Sequence, residues 1–353
     1  MTQQRVLDVT LRLRGLIGEK GWSLKKIAQM AGVSRSTMSL FLKGDYKGDC
    51  KGLAAKLHDI MESVARRERT PHTEEFVRTA VAKRIFTVIA ETDAFSTEQE
   101  GKIGIIIGDG GHGKSHCLRA YGETNRNTVY VELDDAMTST LIFAELAKKL
   151  GLDASGSRAS VTRRLIDNLQ NRHIIIMLDE ASLLSVRELN LLRQILVIKS
   201  RCPLILAGNR DLLNTVMQPT TKRGCESLDQ FTSRLMCILD LDQVAGETDG
   251  GLYTAEDIRR LYEYGGIRLT TDAVKALCKI SRTPRSGRLR TCGHIIAACH
   301  MAAEVQQRRS IDAATIVAAI DELRLPVRVW LPIGRADIAG TIEHEQEAAA
   351  KAG

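Results

Sequence analysis

The sequence predicts an α/β fold, a parallel sheet with helices on both faces, preceded by an all-α helix-turn-helix unit and followed by a helical lid. Three observations predict it. An apolar run, Ile103 to Ile107, breaks into the glycine-rich turn Gly108-Asp109-Gly110-Gly111-His112-Gly113-Lys114-Ser115. A second apolar run, ending at Leu178, stops on two carboxylates, Asp179 and Glu180. Around both, apolar strands alternate with helical patterns, which gives parallel strands joined by crossover helices.

In chain order, Gly21 to Gly44 reads as two short helices joined at Gly32, with Ser23 and Ser34 each placed to cap the helix that follows. Ala28 is small where the helices cross, Val33 plugs the turn, and Met38, Phe41 and Leu42 keep the i, i+3, i+4 rhythm of a buried face. The segment resembles a helix-turn-helix of the lambda-repressor type, whose second helix enters the major groove. Its exposed face makes Arg35, Ser36, Thr37, Ser39 and Lys43 the candidate DNA-binding residues here. Short hydroxyl side chains reach phosphates as readily as bases, so no base sequence is specified. Residues 1 to 90 hold seventeen Lys and Arg against nine Asp and Glu in a chain of net charge +7, so the basic surplus sits at this end and points to a polyanionic partner. A helical pattern through Leu53, Leu57, Ile60, Met61 and Val64 is then broken by the charged, proline-bearing stretch Arg66 to His72. The domain boundary is placed there, between 1–70 and a core over 71–250.

Within the core, glycines 108, 110, 111 and 113 let backbone N–H groups turn inward around phosphate oxygens. Lys114 brings charge to the β- and γ-phosphates of ATP, and Ser115 opens the next helix, where its hydroxyl can ligate Mg²⁺. Gly108 to His116 are the candidate nucleotide-binding residues, although this chemistry does not itself require His112. Thr128 to Leu133 reads as a strand, Thr140 to Leu150 as a helix, 153–160 as a loop and Val161 to Gln170 as a helix. Asp179, at the end of the next strand, would hold the Mg²⁺ shell, and Glu180 would orient and polarise the attacking water of a hydrolase. One helix is expected to carry Leu183, Leu184, Leu189, Leu191, Leu192 and Ile195, before a buried strand from Pro203 to Asn209. A polar loop, Thr220 to Asp229, then leads through Phe231-Thr232-Ser233-Arg234 to an apolar strand, Met236 to Leu241.

From Thr254 the pattern is wholly helical: Ala255 to Tyr264, Thr271 to Ser281, Arg288 to Gln307 and Ala313 to Leu323. This lid is assigned to 251–328, and the tail over 329–353 ends in a Glu- and Ala-rich segment read as a surface helix. Lys275, Lys279, Arg282, Arg285, Arg288 and Arg290 form a run without acids, a candidate track for DNA phosphates.

Taken together, these motifs resemble the AAA+ ATPases, and with the helix-turn-helix they resemble the MuB family, the ATP-dependent target-selection proteins of Mu-like transposing phages, over about residues 5 to 325. The AAA+ resemblance implies a sensor-1 role for Asn209 and an arginine finger acting in a neighbouring subunit's site. Arg234 is the first choice for the finger, against a local ion pair, and Arg223 the second. It also implies a sensor-2 arginine, either Arg288 or Arg290, which competes with the phosphate-track reading of the same run. The MuB resemblance implies ATP-dependent assembly of a homo-oligomeric filament on duplex DNA with little sequence preference, delivery of that DNA to a transposase, and release on hydrolysis. An ATP-liganded helix-turn-helix transcriptional regulator and a replication initiator or helicase loader are the alternatives.

Eight cysteines show no metal-ligand spacing, and no secretory segment or membrane-length apolar run is seen. A cytoplasmic protein with free thiols and no membrane partner is expected. Aromatic residues make up only 4% of the chain, which disfavours stacking on single-stranded bases.

Overall fold

The computed structural model describes residues 3–19, 23–69, 76–96, 100–170, 172–217, 228–248, 251–283, 287–305, 308–325, 331–333 and 336–338. The chain divides into two compact units, Met1–His72 and Thr73–Gly353.

The first unit is all helical among its described residues. Helices α2 (Leu24–Ala31) and α3 (Arg35–Lys43) meet at Gly32, whose φ of 67° is the left-handed conformation that lets the chain reverse while its N–H still caps α2. Ser23 accepts from Lys26 N at 3.2 Å and Ser34 from Thr37 N at 3.0 Å, so both serines are the caps their positions predict. Helix α1 (Gln3–Glu19), which no sequence pattern had singled out, adds Val9 and Leu13 to a core built from Ile27, Ala28, Met38 and Phe41. Helix α4 (Cys50–Arg69) completes it with Leu53, Leu57 and Met61. It runs past Arg66, where a break was expected, because charged residues such as Arg and Glu are themselves good helix formers.

The second unit is built on five parallel strands, β1 (Ile103–Ile107), β2 (Thr128–Glu132), β3 (Ile175–Asp179), β4 (Leu204–Gly208) and β5 (Leu235–Asp240), in the order β2-β3-β4-β1-β5. β1, β3 and β4 are buried along their whole length, which accounts for their unbroken apolar runs. Helices α5 (Ala80–Ala94), α6 (Lys114–Thr124), α7 (Ser139–Lys149) and α8 (Arg158–Leu169) complete the connections up to β3. Residues 158–160, expected as loop, are the first turn of α8, because Ser157 accepts from Ser160 N and starts the helix early.

The leucine-rich stretch after β3 is not one helix. Ala181–Leu183 is a 3₁₀ turn, and a capping box between Ser185 and Glu188 opens α9 (Val186–Leu192) afresh. The chain then widens into a π-helical segment, Arg193–Lys199. Leu183 is exposed, and Leu184 lies between the two helical pieces. Helices α10 (Arg210–Met217) and α11 (Asp229–Thr232) lead to β5, and α12 (Leu241–Glu247) follows it.

The lid contains α13 (Ala255–Tyr262), α14 (Thr271–Arg282), α15 (Arg288–Val305) and α16 (Ala313–Glu322). It is not wholly helical, since β6 (Arg268–Leu269) and β7 (Ser310–Ile311) form a short parallel pair that joins the α13–α14 and α15–α16 connections. Two-residue strands are too short to leave an alternating pattern in the sequence. One apolar cluster runs from Ile85, Ile89 and Ile106 beside the sheet to Leu277, Ile295 and Ile316 of the lid, so lid and sheet share a core. In the tail, β8 (Leu331–Ile333) and β9 (Ala336–Ile338) pair antiparallel. The helix expected over 342–353 lies outside the described residues, as do Arg223 and Arg285. Among the described residues no helix is long and apolar enough to cross a membrane.

Candidate nucleotide site

Parallel pairing brings the C-terminal ends of β1, β3 and β4 to one sheet edge, with β4 between the other two. Gly108 to Gly113 leave β1 as the expected turn into α6. Two glycines are fixed there by geometry. Gly111 has φ 92° and a Cβ on it would stand 2.3 Å from Gly287 O, while Gly113, at φ 75°, is the left-handed residue that starts α6. Gly110 has an ordinary backbone and open space, so neither reason applies to it. Lys114 Nζ donates to Gly108 O at 2.5 Å and Asp109 O at 3.1 Å. Burial pushes its pKa down, against the attraction of Asp179 and Glu180. Ser115 lies in the first turn of α6, and His116, exposed there, stands 5.2 Å from the Phe76 ring. Cys117 is a packing residue, its thiol pushed up to about 12 by burial.

Asp179 is 1% exposed and accepts from Tyr130 OH and Glu180 N, both at 3.0 Å. The Asp179 carboxylate at the end of β3 and the Ser115 hydroxyl at the start of α6 are hard-oxygen donors of the kind that suits Mg²⁺. Glu180 is exposed and takes the left-handed conformation, φ 55°, which turns the chain sharply off the strand and is costly for a side chain with a Cβ. Asn209 stands exposed at the end of β4, its Oδ1 accepting from Asp211 N and its own N–H donating to Ser182 Oγ at 2.7 Å. Ser182 thus ties the end of β4 to the turn after β3.

Of the two lid candidates, the structure brings Arg288 to the phosphate loop and leaves Arg290 exposed. Arg288 is 4% exposed and donates to Asp109 Oδ2 at 3.1 Å and Asp242 Oδ1 at 2.8 Å. The same Asp242 carboxylate accepts from Asp109 N at 2.8 Å and meets His112 Nε2 at 2.9 Å. Burial alone would raise the Asp242 carboxyl, but His112, the Asp109 amide and Arg288 together hold it below its ordinary value. Burial pushes the His112 imidazole down, opposed by Asp242. Tyr253 OH, in the connection to the lid, donates to His112 O at 2.7 Å.

A family model described as an AAA domain matches residues 97–216. The chain is 30% identical over 206 residues to the ATP-dependent target DNA activator B of Escherichia phage Mu, covering 58% of this chain and 64% of that protein. The chain is thus similar to a target DNA activator over part of its length, and residues 97–216 match an AAA domain. It is also 23% identical over 261 residues to the Mu-like prophage FluMu DNA transposition protein B of Haemophilus influenzae, covering 73% of this chain and 85% of the relative. The aligned segment spans a little under two thirds of the phage Mu protein. Among solved structures, ORC2 of Aeropyrum pernix in ADPNP–ADP complexes gives a TM-score of 0.47 at 16% identity, over 72% of this chain and 70% of that one.

Arg234 lies at the other edge of the five-stranded sheet. It precedes β5, its carbonyl accepts from Ile103 N at the start of β1, and its guanidinium pairs with Glu100. Lys275, Lys279 and Arg282 are exposed on α14, whose opposite side buries Val274, Leu277 and Ile280. In the first unit, Arg35, Ser36 and Lys43 are exposed, while Thr37 and Ser39 are half-buried. The Ser36 and Thr37 hydroxyls lie 2.7 and 2.8 Å from the Ser34 cap, so they belong to the turn's own hydrogen bonding.

The sequence reading missed Asp242, Tyr253, Tyr130 and Ser182. Asp242 had one available signal, a second acid two residues after Asp240 at the end of an apolar strand. We expect Asp242→Asn to lower stability by about 2 kcal/mol, because it leaves the buried Arg288 with only an exposed partner. Chemical denaturation of the nucleotide-free protein measures this, and a change below about 0.5 kcal/mol would show that Asp242 does not hold loop and lid together.

Proposed function

We propose that this chain is a Mg²⁺-dependent ATPase of the cytoplasm that assembles with ATP into a filament on duplex DNA, presents that DNA to a transposase, and lets go on hydrolysis. The observation that carries this reading is its 30% identity over 206 residues to a protein named ATP-dependent target DNA activator B, beside the AAA-domain match over 97–216 that contains the phosphate loop. The site geometry supports it. Backbone amides of 110–115 and Lys114 hold the triphosphate, Ser115 and Asp179 hold the Mg²⁺ that offsets its charge, and Glu180 and Asn209 flank the attacking water. Arg288 exchanges Asp109 and Asp242 for a phosphate oxygen, and Arg234, at the sheet edge opposite its own site, serves the site of a neighbouring subunit. The helix-turn-helix and the α14 face supply sequence-independent contacts to the DNA backbone.

Electron microscopy of the protein with ATP and random duplex DNA tests the proposal. Continuous filaments are expected. Discrete rings would favour an initiator or helicase loader, and dimers at fixed sites a transcriptional regulator.

A chain starting at residue 73 retains the whole AAA domain and lid with their shared core. It is expected to hydrolyse ATP and still assemble on DNA, more weakly and with a shallower dependence on salt as phosphate contacts are lost. Fluorescence anisotropy with labelled duplex across a salt series reads both. Complete loss of DNA binding would move the principal DNA contact to the first unit.

A further inference from the structure

A cavity of about 490 Å³ lies between α8, α9 with its π-helical continuation, and α11, sharing no lining residue with the nucleotide site. Three arginines line it, Arg158, Arg187 and Arg193, together with the amides of Asn190, Gln194 and Gln230 and one carboxylate, Asp229. None of the three arginines is ion-paired among the described residues.

Arg193 is the anomaly. It is 5% exposed, its NH2 donates to the neutral Gln230 Oε1 at 2.9 Å, and its Nε is buried with no partner among the described residues. A guanidinium withdrawn from water without an anion is costly, and Arg234 adds repulsion to the burial. Arg158 raises the same question, since it opens α8, the end of a helix whose dipole repels cations and attracts anions. The π-helical segment that starts at Arg193 breaks regular helix geometry at this spot, a distortion frequent at functional sites.

We propose that this cavity is a second anion site, which takes a phosphate group of a nucleic-acid backbone or of a free phosphorylated ligand. Guanidinium forks match phosphate oxygens in pairs, and the cavity has the volume of a small-ligand site, larger than one phosphate and suited to a nucleotide unit. The nucleic-acid source rests on the DNA-binding function proposed above, whereas the phosphate chemistry stands without it.

The test uses the full chain and the double substitution Arg158→Gln with Arg187→Gln, both away from the packed core, with Arg193→Gln as a separate variant. With ATP and duplex DNA, the double variant should bind about tenfold more weakly, and its log affinity against log salt should flatten by about 2. With inorganic pyrophosphate, in a Lys114→Ala background that weakens the first site, the thermal stabilisation should disappear when the two arginines are replaced. Loss in both assays assigns the site to nucleic-acid phosphate, and loss with pyrophosphate alone assigns it to a free ligand. Unchanged DNA affinity, salt slope and pyrophosphate response would overturn the proposal. Failure of the unsubstituted chain to bind DNA at all would count against the proposed function, leaving the pyrophosphate response to decide the site.

Discussion

Lys114→Ala protein is expected to bind ATP at least about a hundredfold more weakly than the unsubstituted chain and to lose ATP-dependent assembly on DNA. Lys114 Nζ rests on the carbonyls of Gly108 and Asp109, inside the turn where the β- and γ-phosphates would lie. Alanine removes the charge, and each hydrogen bond between charged groups is worth about 1.5–3 kcal/mol. Two such bonds exceed the roughly 2.7 kcal/mol that separates affinities a hundredfold apart. Among the described residues the side chain donates to those two carbonyls alone, so the fold should persist. Titration with a fluorescent ATP analogue measures the effect, with circular dichroism as the check on folding. An unchanged affinity would remove the phosphate-loop assignment.

The second large effect concerns hydrolysis and subunit geometry. Glu180→Gln should keep ATP binding and stop turnover, since an amide cannot polarise water as a carboxylate does, and complexes with DNA should then persist. Arg234→Ala should also bind ATP yet hydrolyse it about a thousandfold more slowly, if its charge acts on a neighbour's transition state. Distance favours action in a neighbouring site. Arg234 precedes a six-residue strand whose far end reaches the phosphate loop, and at about 3.3 Å per residue that is a separation of about 20 Å. A guanidinium cannot cover it within one subunit. Mixing the two variants should therefore return part of the activity, at junctions where an intact Glu180 meets an intact Arg234. No recovery at any ratio, with co-assembly shown independently, would leave Arg234 as the partner of Glu100. In that case Glu100→Gln should reproduce the Arg234→Ala phenotype.

The parts of the site that were legible in the sequence are those where one requirement dictates several adjacent residues. β1 and β3 are buried on both faces and so are continuously apolar, and the turn after β1 needs glycine at Gly111 and Gly113 for reasons of space and backbone angle. The caps Ser23 and Ser34 are local and were equally visible. What stayed hidden depends on distant residues meeting. Asp242 is 130 residues from His112 and 46 from Arg288, and nothing near any of them marks the meeting point. The choice between Arg288 and Arg290 was open for the same reason, because two residues along a helix point to different sides and only the lid's position decides between them. The broken helix after β3 was misread because a leucine-rich rhythm survives a capping box and a widened turn.

The small parallel pair β6–β7 has a mechanical consequence. Arg268 N donates to Arg309 O at 2.9 Å and Thr270 N to Ile311 O at 3.0 Å, so the α13–α14 and α15–α16 connections are stitched together. The lid helices then move as one plate with little slack. Arg288 sits at one rim of that plate, beside Gly287 with its φ of 75°, and α15 extends from it for 18 residues, a rigid arm about 27 Å long. A tilt of about 10° at the arginine would sweep the far end of the arm through about 5 Å, a small adjustment at a phosphate amplified into a displacement a neighbouring molecule can feel.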